Sequence, residues 1–301
     1  MKYYKIYGLI IKSDIKLYNS NLISLSSTTP DIEIVSKSIN TNIDSSFISR
    51  SNFYFSQNNI IFIIENVGRY QITNGNKITI EYLPNTDLEE IRKYILGSAL
   101  GLLLFQRNII ALHGSSIVIN NNAIIISGNI GAGKTSTTLS LVNKGYSFLT
   151  DDVASVIKDI NGTYNVHHCI PYQKLCFNTI ESLGYDKNKL IQIDKIKNKY
   201  YSPEIINFTK EPKKLKSLFY LTTSNNLTTV SCSEVFGVEK FKLILSNIFR
   251  KELIPNELIK GNYIKEVLNL SKNISVYKIT RPKNGNSVEK IVNIIEKYAC
   301  N

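Results

Sequence analysis

Residues Gly128-Asn-Ile-Gly-Ala-Gly-Lys134-Thr135 fit the pattern G-x-x-x-x-G-K-[ST], the loop that wraps nucleotide phosphates in backbone N–H groups. An apolar run of strand length, Asn122-Ala-Ile-Ile-Ile-Ser127, precedes it. Ser136-Thr-Thr-Leu-Ser-Leu-Val-Asn-Lys144 follows and reads as a helix that ends at Gly145. A chance match in a glycine turn is the alternative, but the strand–turn–helix setting is the context the loop requires. The fold class is therefore read as α/β. Gly128, Asn129, Ile130, Gly131, Ala132, Gly133, Lys134, Thr135 and Ser136 are expected to hold ATP. Gly131 and Gly133 let successive N–H groups converge on an anion, and the helix N-terminus adds its partial positive charge. Lys134 is expected to reach the terminal phosphates, and the Thr135 hydroxyl to join a Mg²⁺ shell.

After Gly145, Tyr146-Ser-Phe-Leu-Thr150 reads as a second strand, followed at once by Asp151-Asp152. A strand–helix–strand unit of this size predicts a right-handed crossover with parallel strands. Both strand ends then lie on the edge where ligands bind in open α/β sheets. Two adjacent carboxylates there are costly without a cation, so a metal or substrate charge is expected beside them. A plain Asp turn after a strand is the alternative.

Over Leu112-His113-Gly114-Ser115-Ser116, the loop, and Lys144 to Asp151-Asp152-Val153, the chain resembles the HPr kinase/phosphorylase family and its HPr-kinase-like relatives. Those proteins carry a His-Gly before the loop strand and an Asp-Asp-Val at this short interval after it. The resemblance implies an α/β P-loop core of the HPr kinase/PEP carboxykinase type with an N-terminal, mostly β subdomain. Weaker likeness covers Tyr4 to Leu17, Gly97 to Arg107 and Leu175 to Gly184. It points to members found in peptide-modification clusters, several of which are thought to phosphorylate a serine of a ribosomally made precursor, lasso-peptide precursors included. The C-terminal half has no counterpart of the glycine-rich signature of the bifunctional enzyme, so phosphorylase activity and HPr as substrate are not carried over. HPr kinases assemble as oligomers, so the resemblance raises a homo-oligomer, but the divergent C-terminal half does not carry that state over to this chain.

The roles that follow are Lys134 against developing charge, Asp151 as general base, Asp152 with Thr135 on Mg²⁺, and His113 orienting the acceptor or the γ-phosphate. A lone histidine is more often structural, and only the family likeness favours His113. The expected activity is transfer of the γ-phosphoryl group of ATP to a serine hydroxyl on a peptide or small protein. Bifunctional HPr kinase/phosphorylase activity, a small-molecule kinase and an ATP hydrolase are the rival enzymes. A nucleotide-dependent module that binds a precursor peptide without modifying it is the rival of another class, although such a module has no need of the acidic pair.

The 301 residues, 43% of them hydrophobic, suffice for two modest domains, read as a β-rich unit over 1–85 and a catalytic unit over 86–301. In the first, Tyr3–Lys12, Ile32–Val35, Phe53–Ser56, Ile60–Glu65, Gly68–Ile72 and Lys77–Tyr82 read as strands, with Asn74-Gly75 as a hairpin turn. Thr86-Asp-Leu-Glu89 reads as a capping box opening a helix. Later strands are expected at Ser155–Lys158, Tyr164–His168, Lys216–Thr222 and Val276–Thr280, with helices at Ile180–Leu183, Phe241–Phe249 and Val288–Tyr298. Arg281 could approach the nucleotide from its strand end, whereas Arg107 is at least as well explained as a surface charge.

A net charge of +12 would attract ATP, an acidic peptide or nucleic acid. No nucleic-acid module accompanies it, so no specific nucleic-acid partner is expected; the abundant Lys, Asn and Ile also fit an AT-rich genome. The four cysteines are scattered, and His167-His168-Cys169 on a strand would face alternately, which disfavours a metal site. The longest apolar run, Tyr94 to Phe105, is too short to span a bilayer and no signal segment is read, so no membrane contact and a cytoplasmic location are expected.

Overall fold

A computed structural model describes residues 1–18, 22–23, 29–182, 184–195 and 197–300. It is a mixed α/β structure. Nine N-terminal strands form one sheet in the order Leu22–Ile23, Lys2–Ile6, Leu9–Ser13, Ile32–Ser36, Lys77–Tyr82, Gly68–Thr73, Asn59–Ile64, Phe53–Phe55, Ile48–Arg50. Ile32–Ser36 runs parallel to both of its neighbours, and the other pairs are antiparallel. The single strand expected over Tyr3–Lys12 is a hairpin instead. Ile6 pairs with Leu9, and Tyr7 (φ 54°) and Gly8 (φ 79°) form the left-handed two-residue turn that matches strand twist. Asn74-Gly75 lies in the turn joining Gly68–Thr73 to Lys77–Tyr82.

The helix after this sheet begins one residue later than the capping box predicts. Asp87 is the N-cap, its carboxylate accepting from the N–H of Glu89, while the Thr86 hydroxyl turns back to the carbonyl of Leu83. Glu89 does not complete a box because Tyr18 and Arg92 already hold its carboxylate. The α-helix Leu88–Tyr94 passes through a π-helical turn, Ile95–Ala99, into a second α-helical segment, Leu100–Gln106. Its apolar face shares one core with the N-terminal sheet, where Tyr70 meets Tyr94 at 5.9 Å.

The second large sheet carries the phosphate-loop motif. Its strand, Asn122–Gly128, lies parallel to Lys213–Ser224 on one side and antiparallel to Ser115–Ile119 on the other. Ser147–Thr150 pairs with the far edge of Ser115–Ile119, again antiparallel. The loop strand and the acidic strand are thus parallel, as expected, but not adjacent. The intervening strand arises from a hairpin at Asn120-Asn121 (φ 48° and 62°), a turn the sequence reading passed over. Both parallel strands still deliver their C-termini to one edge.

Ser275–Pro282 extends the parallel side, and Ile110–His113, Val153–Lys158 and Tyr164–His167 form an antiparallel ladder beside it. Helices Lys134–Asn143 and Val288–Cys300 cover one face through Ile124, Leu141, Phe219 and Ile295. Helices Gly237–Ser246 and Gly261–Asn273 cover the other through Ile125, Leu218, Ile244 and Val267. The first of these ends three residues before the expected Phe249. Asn247 gives its carbonyl to the N–H of His113, Ile248 bridges to Leu112, and Phe249 donates to Ala111, so tertiary pairing replaces helical bonds. Gly261–Asn273 was not anticipated, nor was a three-stranded sheet of Lys174–Cys176, Lys199–Tyr201 and Gln192–Asp194. The short helix expected near Ile180 spans Phe177–Ser182, and Leu183 lies outside the described residues. Among the described residues no helix is long and apolar enough to cross a membrane.

Candidate active site

The loop between Gly128 and Lys134 takes its form from close packing. Gly128 has φ 132°, and a Cβ there would lie 2.0 Å from the carbonyl oxygen of Leu221, so only glycine fits. Ahead of the loop, Gly114 is fixed for a different reason: a Cβ would sit 2.7 Å from the carbonyl oxygen of Ile126. That contact is the physical content of the His113-Gly114 pair, because it lets His113 reach the end of the loop strand. Ser127 Oγ lies 2.5 Å from the His113 carbonyl oxygen and 2.6 Å from Asn247 Oδ1, tying the two strand ends together.

Gly133 (φ 103°) caps the helix that begins at Lys134. The Lys134 ammonium folds back over the loop, donating to the carbonyls of Gly128 (2.6 Å) and Asn129 (3.0 Å). On the outer side the Arg281 guanidinium donates to the carbonyls of Gly131 (2.9 Å) and Ala132 (3.0 Å), and also to those of Pro282 and Lys283. From sequence, Arg281 is a strand-end arginine that could approach a nucleotide or simply be solvated; its contacts here are with the loop's own carbonyls. The side chain of Asn129 is held by Tyr220 (2.6 Å) and Thr222, and Ile130 at the loop tip is fully exposed. The carbonyl of Thr135 accepts from the buried Gln173 amide at 3.1 Å.

A cleft of about 350 Å³ brings His113, Ile130, Gly131, Lys134, Thr135, Asp151 and Asp152 together. Gly133 and Ser136 line a separate cavity, together with Leu139, Ser140, Val288 and Ile291 of helices Lys134–Asn143 and Val288–Cys300. Arg107 is in neither cavity; it binds the carbonyl of Gly75 at 3.0 Å, which is the surface role.

The two aspartates are held differently. Asp151 Oδ1 accepts from the Ser115 hydroxyl (2.5 Å) and Oδ2 from the backbone N–H of Lys174 (2.9 Å). Burial, with the neighbouring Asp152 charge, pushes its carboxyl above the usual range despite those bonds. Asp152 occupies a left-handed backbone conformation (φ 67°), sparsely populated for a non-glycine residue. Its Oδ2 pairs with Lys174 Nζ at 2.7 Å and its Oδ1 faces His113 Nδ1 at 3.4 Å. Burial alone would raise this carboxyl, but Lys174 and His113 hold it well below the usual carboxylate range. The Lys134 ammonium is displaced below its ordinary value by burial, against the pull of both aspartates.

Three residues of the cleft had no role assigned from sequence, although Ser115 lies in the stretch that carries the resemblance. Lys174 enters on an edge strand, Arg250 from the segment after a helix, and Ser115 from the strand that separates the two motif strands. Arg250 is also left-handed (φ 59°) and donates to Ser98 Oγ at 3.1 Å, in the π-helical turn. Lys197 and Lys199 also line the cleft, together with Lys93, which is paired with Asp194 at 3.2 Å and with Glu90 at 3.6 Å.

No family model matches the chain. Over 51 residues it is 41% identical to an HPr kinase/phosphorylase of Clostridium beijerinckii. It is HPr-kinase-like in that segment. The match spans 17% of this chain and 17% of that protein, about a sixth of the curated relative's length. Among solved structures, the Hpr(Ser) kinase/phosphatase from Coxiella burnetii aligns with 63% of this chain and 90% of its own, at 13% identity and a TM-score of 0.35.

The donor set suits Mg²⁺ in one respect. Thr135 and Asp152 offer hard oxygen atoms in the same cleft, yet no group of three or more metal-ligating side chains occurs among the described residues. Mg²⁺ is commonly held by one or two carboxylates together with substrate phosphates, so these residues fit a metal that arrives with a nucleotide.

Proposed function

We propose that this protein is an ATP-dependent kinase that transfers the γ-phosphoryl group to a serine hydroxyl of a peptide or small protein. A ribosomally made precursor peptide, of the lasso type, is the acceptor class in this reading. The observation that carries it is the convergence of Lys134, Thr135, Asp151, Asp152 and His113 on one cleft at the end of the loop strand.

The N–H of Asn129 is given to Leu221 and that of Ala132 to Asn129, so the other backbone N–H groups between Ile130 and Ser136 bind the donor's phosphates. Lys134 exchanges its loop carbonyls for phosphate oxygens, where its charge offsets that of the transition state. Thr135 and Asp152 would hold Mg²⁺, which would supply charge neutralisation at the donor's phosphates. Asp151 takes the proton of the serine hydroxyl as the oxygen–phosphorus bond forms. The bond from the γ-phosphorus to its bridging oxygen breaks, and that electron pair leaves on ADP. A carboxyl raised above its ordinary range is the better base of the pair. Asp152, bound to Lys174, stays ionised and holds His113 toward the acceptor. Lys197, Lys199 and Arg250 in the cleft favour an acidic acceptor, whereas the charge of Lys93 is already met by Asp194 and Glu90.

Incubation with γ-labelled ATP, Mg²⁺ and candidate peptides, read by mass spectrometry, tests the reading. A phosphoryl group on an acceptor serine is expected, and its loss in Lys134→Ala and Asp151→Asn. Removal of a general base costs about 10²–10⁴-fold in rate. Release of inorganic phosphate with no transfer to any acceptor would overturn the kinase assignment, and near-normal turnover in Asp151→Asn would overturn the choice of base.

A further inference from the structure

The two aspartates of the cleft differ in what caps them. Asp151 receives two neutral donors, the Ser115 hydroxyl at 2.5 Å and the Lys174 N–H at 2.9 Å. Asp152 faces a cation and an imidazole: its Oδ2 is held by the Lys174 ammonium at 2.7 Å, and its Oδ1 lies 3.4 Å from His113 Nδ1. The carboxylate assigned above to a divalent cation thus already carries a cation. A metal joining it there meets the repulsion of an ammonium bound to the same group.

The main chain of Lys174 is held firmly and its side chain is not. The preceding Gln173 donates its N–H to the Ser202 hydroxyl at 3.0 Å and accepts from the Ser202 N–H at 2.8 Å. The Gln173 side-chain amide reaches the Thr135 carbonyl at 3.1 Å, and the N–H of Lys174 is given to Asp151. Lys174 also pairs with Tyr201 across the small sheet. The ammonium, at the end of a flexible four-carbon stem, is held by Asp152. It lies beside Gly97 of the π-helical turn, where a Cβ would come 3.8 Å from Nζ, so the helix leaves room around it. The ammonium can therefore leave Asp152 without disturbing the bond that holds Asp151.

We propose that Lys174 holds the place of the divalent cation at Asp152 and yields it when the cation arrives with a nucleotide. The inference rests on the kinase reading above and adds to it a residue that couples metal binding to nucleotide binding. A divalent cation alone must displace an ammonium at 2.7 Å with no anion to receive it. A nucleotide brings anionic phosphates into the same cleft, beside Lys134 and Thr135, and these accept the released ammonium. Asp152 stays ionised throughout, since one cation takes over from another.

Mn²⁺ binding to the full chain, read by electron paramagnetic resonance, tests this without turnover. Lys174→Met should bind Mn²⁺ alone about tenfold or more tightly than the wild type, and the added change Asp152→Asn should remove that gain. The Mn²⁺ complex of a non-hydrolysable ATP analogue, whose phosphates receive Lys174, should bind the variant no more tightly than the wild type. Lys199→Met takes a charge from the same cleft but none from Asp152, and should change Mn²⁺ affinity by less than about threefold. No gain in Lys174→Met, an equal gain for the complex, or an equal gain in Lys199→Met overturns the role of Lys174 and leaves the kinase reading intact. A wild type that binds neither the free ion nor the complex overturns both. Should Lys174→Met not fold, acetic anhydride labelling of the wild type decides: Lys174 should label faster at saturating Mn²⁺, and an unchanged rate overturns the proposal.

Discussion

The Nζ atom of Lys174 lies 2.7 Å from Oδ2 of Asp152, while the backbone N–H of the same lysine holds Asp151 at 2.9 Å. One residue thus restrains both adjacent carboxylates, by its side chain and by its main chain. Substitution Lys174→Met leaves the main-chain bond and removes the charge. The two side chains are 20% and 28% exposed, so the loss is milder than for a fully buried pair, and about 1–3 kcal/mol of folding stability is expected to go. Urea unfolding at neutral pH measures it, and added Mg²⁺ with ATP should recover part of the loss.

Arg281 ties the carbonyls of Gly131 and Ala132 on the outer side of the loop. Arg281→Ala frees both and lets the loop sample other conformations, so ordering must be supplied by the ligand. ATP affinity, measured by calorimetry, is expected to fall by about 5–50-fold, which corresponds to about 1–2.3 kcal/mol.

Gly114→Ala places a methyl group against the Ile126 carbonyl, a backbone atom that cannot swing aside. The His113 strand must shift from the loop strand, with a cost of about 1–3 kcal/mol. Phosphate transfer should fall with it, because His113 would leave Asp152. A thermal melt and an activity assay read the two effects separately.

His167 packs on Gly8, and burial, with the neighbouring His168, lowers its pKa to about 4. The unfolded chain, with a histidine near 6.5, then binds a proton that the folded chain refuses. Stability is full above about pH 6.5 and is lost as pH falls toward 4, by at most about 2 kcal/mol at pH 5 from this group. Denaturant midpoints at pH 7 and pH 5 should show the drop, and His167→Gln should reduce it, leaving the part due to His168, whose pKa burial also lowers.

The phosphate loop was legible because its parts are contiguous. Strand, glycine turn and helix all lie within Asn122–Asn143, and each is dictated by its own residues. The joint placement of Asp151 and Asp152 with the loop could be argued too, since two parallel strands deliver their ends to one edge. The argument reached the right edge although Ser115–Ile119 stands between the two strands, because two successive antiparallel pairings restore a parallel relation. The N-terminal strands were legible from alternation, apart from the Tyr7-Gly8 turn, where a tyrosine adopts a conformation its type disfavours, and the edge strands Leu22–Ile23 and Ile48–Arg50, which are too short to show an alternating pattern.

The sequence by itself determined the loop, the neighbouring acidic pair and the α/β class, because backbone propensity and hydrophobic period act over a few residues. Only the tertiary structure decided what surrounds them. Lys174 compensates Asp152, Ser115 holds Asp151, Arg281 clamps the loop, and Asn247 leaves its helix to bind His113. Each of these contacts joins residues more than twenty positions apart, and a charge or hydrogen bond at 2.5–3 Å depends on where the whole sheet brings its edges.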